Sequence, residues 1–154
     1  MIDTKEKVYY NKITKRDNVG DDMWKKIVLD DLLRYAQLIK IQPVLKIRLV
    51  ALGNKIRRSA NNRFQRAEMP EQLDSFKKLS RTINANQGEI EDMERALEFL
   101  PQRESEILHH FYVDRQYGYL DIISEELGIE RSQIYRLKDR ALKRLSLYIY
   151  GMSD

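Results

Sequence analysis

The stretch that most constrains what this chain can become is Tyr119 to Leu145, YLDIISEELGIERSQIYRLKDRALKRL, in which two apolar stripes of helical period meet at one glycine. Leu120, Ile123 and Leu127 fall on one face of a short helix, and Gly128 follows, a residue that reaches positive φ without steric penalty and so closes helices. Ile129 is placed to plug the angle between two helices, and Glu130 to Ser132 supply the acidic and polar groups that favour a helix start. In the second helix Ile134, Leu137, Ala141 and Leu145 share a stripe, whereas Ser132, Arg136, Asp139, Arg140 and Lys143 lie on or near the opposite face. The pattern predicts a helix-turn-helix whose second helix, over about residues 130 to 147, packs one face and presents a mostly basic one.

Everything before this stretch also carries a helical period, so the fold class expected is all-α. Residues 1–20 are polar without sustained period and read as a partly ordered arm, with Val8, Tyr9 and Tyr10 as anchors. Residues 21–68 read as a basic helical region: Asp21 or Asp22 caps a helix through Trp24, Ile27, Val28, Leu32, Tyr35 and Leu38. Pro43 disfavours helical geometry at Gln42 and is expected to end or kink that helix. A second pattern then runs through Val44, Ile47, Leu49 or Val50, and Ile56. Asn61 and Asn62 lie in a connector, a domain boundary is placed around 60 to 70, and Pro70 suits the first turn of the next helix. Residues 70–100 hold a heptad seam: Phe76, Ile83, Ile90 and Leu97 at one position, Leu79, Asn86, Met93 and Leu100 at the other. Gly88 and the turn-favouring run Asn84 to Gly88 leave two readings, one long helix or a break near 84–88. Pro101 stops it, a compact helix follows from Gln102 to about Val113, and residues 101–154 form the helix-turn-helix domain.

With 154 residues and 42% apolar content the chain can bury a real core. It has no cysteine, which excludes disulfides, thiolate-bound zinc and a cysteine nucleophile. His109 and His110 are adjacent, so on a helix they point about 100° apart and cannot share a metal; one is expected packed and one exposed. No glycine-rich phosphate loop is present, so neither enzymatic activity nor a cofactor or metal is expected. No signal peptide or membrane span is read, and a cytoplasmic location in a bacterial cell is expected. The net charge is only +4, but it is unevenly spread: Lys40 to Arg66 holds eight basic residues and no acidic one, while Glu89 to Glu106 holds seven acidic residues against Arg95 and Arg103. The basic block is a candidate second DNA surface or RNA polymerase contact.

The segment LPQRESEILHHFYVDRQYGYLDIISEELGIERSQIYRLKDRALKRL resembles the fourth conserved region of bacterial sigma factors, the domain that reads the upstream promoter element. Leu100, Pro101, Arg103, Glu104, Leu120, Leu127, Gly128, Arg131, Ile134, Ala141, Leu142 and Leu145 carry the likeness. Residues 1–85 do not resemble a sigma factor. Chain size, the basic N-terminal half and the ending ELGIERSQIYRLKDRALKRL look like the phage-encoded regulators of the ArpU and RinA type. That resemblance implies an activator of late or packaging genes, bound to double-stranded DNA and in touch with host RNA polymerase.

The N-terminal turns of a helix in the major groove approach base edges most closely. Arg136, Gln133 and Arg131 carry the donors and acceptors that pair bidentately with guanine or adenine, and Ser132 and Tyr135 are within reach of bases or phosphates. The sigma resemblance places the same five residues at its DNA-contacting positions. Tyr119, Lys138, Arg140, Lys143 and Arg144 are expected on phosphates, and Asp139 is expected to orient Arg136 or Lys143. One such unit reads few base pairs, so a homodimer is expected. Its pairing surface is either the seam Phe76, Leu79, Ile83, Asn86, Ile90, Met93 and Leu97 or the tail Leu147, Tyr148, Ile149 and Tyr150. The seam reads equally as an internal core. Two other functions fit the same composition, a small terminase-like packaging subunit and a sigma-mimicking module that binds RNA polymerase without DNA.

Overall fold

A computed structural model describes residues 23–151; the expected arm 1–20 and the capping residues Asp21 and Asp22 lie outside the described residues. The chain is all-α. Helix α1 spans Met23–Asn61, a 3-10 turn Arg66–Glu68 leads into α2, Met69–Phe99, and α3 covers Gln102–Leu108. A π-helical turn, His109–Val113, prolongs α3, and α4, Tyr119–Leu127, and α5, Arg131–Tyr150, complete the order. Among the described residues no helix is long and apolar enough to cross a membrane.

Of the two outcomes expected at Pro43, an end or a kink, the end does not occur: α1, 39 residues long in all, continues through it. A proline inside a helix costs about 3 kcal/mol through the lost N–H and the clash with the preceding turn. The residue before it is held by a tertiary bond: Gln42 is buried, and its Nε2 donates to Ile83 O at 2.8 Å and to Gln87 Oε1 at 3.3 Å. Apolar residues on either side, Leu38 and Tyr35 before the proline and half-buried Leu45, Leu49 and Leu52 after it, keep one face of α1 against protein. Packing spread over several turns outweighs one local penalty, so the helix does not end here.

The chain forms two compact units among its described residues. One, Leu32–Leu97, is a contiguous helical hairpin; the other joins the chain up to Asp31 with the chain from Glu98. These boundaries differ from the expected divisions near 60–70 and 100, which coincide with helix ends. In the hairpin the two helices run antiparallel, since Arg34 bonds Glu89 (Nε to Oε2, 2.6 Å), Gln42 bonds Ile83, and Gly53 lies beside the ring of Phe76. The antiparallel ladder explains the heptad seam. Ile83, Ile90, Met93 and Leu97 are buried within the single chain, and Phe76, Leu79 and Asn86 are half-buried. Within the chain the seam therefore packs internally, as the internal-core reading of it expects.

α2 runs unbroken through Asn84–Gly88, so of the two readings the single long helix holds. A Cβ built on Gly88 meets nothing within 4 Å, so glycine there serves no close approach. Glycine in an exposed helix interior is less stable than alanine by about 0.8–1.0 kcal/mol. Gly88→Ala is expected to raise the unfolding free energy by about that amount, read as a higher urea midpoint at unchanged m-value; an unchanged or lower midpoint refutes it.

Candidate nucleic-acid interface

The site grows from the turn between α4 and α5. Gly118 before α4 and Gly128 after it both sit in the left-handed region, at φ +72° and +65°. A side chain at either would be strained by about 1–2 kcal/mol. Gly128 N–H donates to Ser124 O at 2.9 Å, and Ser124 Oγ donates to Ile129 O at 2.8 Å, so α4 holds the turn from its own last turn. Glu130 stands at the N-cap of α5 in extended geometry, its N–H donating to Gln133 Oε1 at 3.3 Å within a capping box.

Beneath the turn Ile107, Phe111, Ile123 and Ile134 form one buried cluster, flanked by half-buried Tyr112, Tyr119, Leu120, Leu127, Ile129 and Leu137. Burying each such side chain stabilises by about 1.5–3 kcal/mol, so this cluster outweighs the caps in fixing how α5 is held. Phe111 also takes Tyr119 and Tyr135 edge-on, at centroid separations of 5.1 and 5.9 Å. It lies in the π-helical turn, closed by Asp114 N–H donating to His109 O at 2.8 Å. No breaker or glycine in the sequence marks that turn.

On the outer side of α5 the first two turns bring together the five expected base readers, Arg131, Ser132, Gln133, Tyr135 and Arg136, all exposed. They differ in readiness. Arg136 has no ion-pair partner among the described residues. Arg131 pairs with Asp121 of α4 at 3.0 Å, a surface pair whose contribution of about 0–1 kcal/mol a ligand can replace. Gln133 shares its carbonyl oxygen with the Glu130 N–H and keeps its amide protons. Tyr135 is 43% exposed and holds its ring against Phe111.

Of the expected phosphate contacts, Arg140 and Lys143 are exposed. Lys138 is not available in that way: its side chain is 18% exposed, pairs with Asp139 at 3.3 Å, and places its ammonium 5.5 Å from the Phe111 ring centre and 5.4 Å from that of Tyr135. Arg144 pairs at 3.3 Å with Glu104, a buried carboxylate. Burial pushes the Glu104 carboxyl up, against the lowering charges of Arg144 and Arg140. Arg144 therefore neutralises an internal acid. Tyr119 is half-buried, and its hydroxyl accepts from Arg115 at 2.5 Å.

Asp139, expected to orient Arg136 or Lys143, is held by two other lysines. It pairs with Lys25, near the start of α1, at 3.2 Å as well as with Lys138. Burial acts to raise its pKa, but the hydrogen bond from Lys25 and the charge of Lys138 more than offset this and hold the carboxyl below its usual range. Trp24, Ile27 and Val28 of the same α1 segment are buried, and Tyr150 at the far end of α5 donates to the Asp31 carboxylate. Burial and the charge of Asp139 push the Tyr112 hydroxyl up to about 12, so it stays a neutral donor at physiological pH.

Arg103 escaped residue-level reasoning from the sequence, which noted it only as a match to the sigma pattern. Its Nη2 donates to Leu127 O at 2.7 Å, the last carbonyl of α4. It then lines, with Ile129, Gln133, Arg136, Leu137 and Arg140, an open groove of about 310 Å³. Three guanidiniums around one concavity suit the oxygens of a polyanion, and each presents a planar fork that can bond two of them. Among the described residues no group of three or more His, Asp or Glu is placed to hold a metal ion.

Neither histidine is fully packed or fully free: both are half-buried, and His110 Nε2 lies 3.0 Å from Glu126 Oε2. Burial, with the adjacent His110, lowers the pKa of His109 below its usual value, against an upward pull from Asp114. The folded chain thus resists a proton that the unfolded chain accepts near pH 6.5. Stability is expected to fall as pH drops through that value, and His109→Gln is expected to flatten the fall. Urea midpoints at pH 7.5 and 5.5 for both proteins check it, and equal pH sensitivity refutes the assignment.

No protein-family model, no curated protein and no solved structure matches this chain.

Proposed function

We propose that this chain is a sequence-specific double-stranded DNA-binding transcription regulator that places the first turns of α5 in the major groove. The observation that carries the reading is the row of exposed polar and cationic side chains at the start of α5, with Arg136 unpaired and lining a groove with Arg103 and Arg140. A buried cluster on the opposite side of the helix holds that row outward. An α-helix fits the major groove, about 12 Å wide, and an arginine there can bond guanine O6 and N7 together. Arg136 is the principal base reader, Ser132, Gln133 and Tyr135 are supporting contacts, and Arg131 joins them when DNA displaces Asp121. Arg103, Arg140 and Lys143 face phosphates. Lys138 and Arg144 leave that set because their charges are used inside the protein.

The likeness of residues 100–145 to sigma region 4 supports the same docking, and the ArpU and RinA likeness adds activation of phage late genes. A homodimer on repeated half-sites supplies the specificity one such unit lacks.

Sequences selected from a random duplex pool supply the operator for the test, and a repeated half-site is expected in it. Arg136→Ala is expected to cost about 1–3 kcal/mol on that operator with little loss on random duplex. Arg140→Ala is expected to weaken both and to flatten the slope of log K against log salt by about one unit. Equal losses on both duplexes for Arg136→Ala remove it as a base reader, and no retardation of any duplex at low salt removes the DNA-binding reading itself.

A further inference from the structure

The hairpin unit carries, where α1 gives way to α2, a turn that the helix-turn-helix does not use. From Lys55 to Arg66 the chain holds Lys55, Arg57, Arg58, Arg63 and Arg66 and no acidic residue. All five are exposed, and none has an ion-pair partner among the described residues. Arg58 lies in the last turn of α1, where a cation also favours the helix end, but Arg63 and Arg66 lie beyond it. Amid these charges Phe64 is 92% exposed, the most exposed apolar side chain of the hairpin unit.

The backbone under Phe64 is ordered by its own bonds. Asn62 N–H donates to Ser59 O at 3.3 Å, Phe64 N–H to Asn62 Oδ1 at 3.0 Å, Gln65 N–H to Asn62 O at 3.1 Å and Glu68 N–H to Gln65 O at 3.1 Å. Ser59, at the root of the turn, is buried. A phenyl ring is thus presented to solvent from a pre-formed platform, so a ligand meets it without a large ordering cost.

An exposed aromatic by itself means little. Here it stands among guanidiniums and the amides of Asn61, Asn62 and Gln65, with no second large apolar side chain from Ala60 to Glu68. A lipid surface is poorly matched, because one ring inserts little apolar area. A ligand carrying repeated anions and planar faces matches both halves of the site, and that is nucleic acid. In a duplex those faces are closed by stacking and opening a step costs a few kcal/mol, whereas a single strand offers them freely.

We propose that the turn Ser59–Glu68 binds single-stranded nucleic acid, with Phe64 stacked on a base and Arg63 and Arg66, joined by Arg57 and Arg58, on the neighbouring phosphates. The site stands on the hairpin unit alone and does not need the duplex-reading role of α5.

The test uses the full chain and a labelled mixed-sequence single strand of twelve nucleotides, followed by anisotropy at low salt. Phe64→Ala is expected to weaken binding about 5- to 150-fold, the range for one base stacked on an aromatic, and Phe64→Trp to restore it with a fluorescence change on titration. Arg63→Ala with Arg66→Ala is expected to lower the salt slope by about 0.7 for each arginine. Phe64→Ala is expected to leave affinity for the duplex operator unchanged, so that failure of the operator-reading role and failure of this site are separately visible. Because Phe64 is exposed, its variants are expected to keep the wild-type circular dichroism and urea midpoint. The proposal is overturned if Phe64→Ala binds the strand as tightly as wild type, if wild type does not bind it, or if Phe64→Ala instead loses binding to phosphatidylserine vesicles while keeping the strand.

Discussion

The burial of Ile107, Phe111, Ile123 and Ile134 in one cluster is the interaction on which the rest of the C-terminal unit depends. Three elements, α3 with its π-helical turn, α4 and α5, each give it a side chain, so none can rotate without opening the cluster. Helical periodicity then does the rest: once Ile134 is pinned, Ser132, Gln133 and Arg136 are turned outward, and Tyr135, though exposed, keeps its ring against Phe111. The glycines and caps at the turn set where the helices begin and end. Each is worth about 1 kcal/mol, and their combined effect is smaller than that of the buried cluster.

Charge on α5 is sorted rather than simply abundant. Arg144 answers the buried Glu104, Lys138 lies over aromatic rings beside Asp139, and Asp139 itself is held by Lys25. Arg136 and Arg140 are left facing an open groove. Arg144 is engaged by the buried Glu104 carboxylate, whose charge Arg140 also offsets. Basic residues a few positions apart on one helix therefore have different physical roles, and composition does not separate them.

What was legible in the sequence was whatever a single local rule governs. The helix end at Gly128, the stripe through Ile134 and Ala141, and the exposed row beginning at Arg131 follow from glycine conformation and the 3.6-residue period, and each stands where those rules put it. The rest required knowledge of distant partners. Pro43 obeyed its tertiary surroundings because Gln42 reaches a carbonyl on α2. The heptad of α2 closed on its own chain, a choice that periodicity cannot make since an internal seam and an intermolecular one look alike. The contacts that Lys138, Arg144 and Asp139 make with Phe111, Glu104 and Lys25 were not legible, because those partners lie far off in the chain. Arg103 was seen as a letter in a pattern, and its place in the groove came only with the bond to Leu127 O.

The C-terminal unit takes in the start of α1, with Lys25 on Asp139 and Asp31 bonded by Tyr150, while the hairpin is one uninterrupted stretch. This has a consequence for the order of events during synthesis. The hairpin has all its residues once Leu97 has left the ribosome. The first turns of α1 have been made by then, but their partners Asp139 and Tyr150 lie more than a hundred residues beyond Lys25 and Asp31 and arrive only after the hairpin is complete. Closing so long a loop is an entropic burden that falls as the intervening chain becomes ordered, so the inserted hairpin serves as a folded spacer that shortens the effective loop. Trp24, Ile27 and Val28 meanwhile lack the later residues that complete their unit, which makes the opening turns of α1 the segment of the nascent chain most in need of protection.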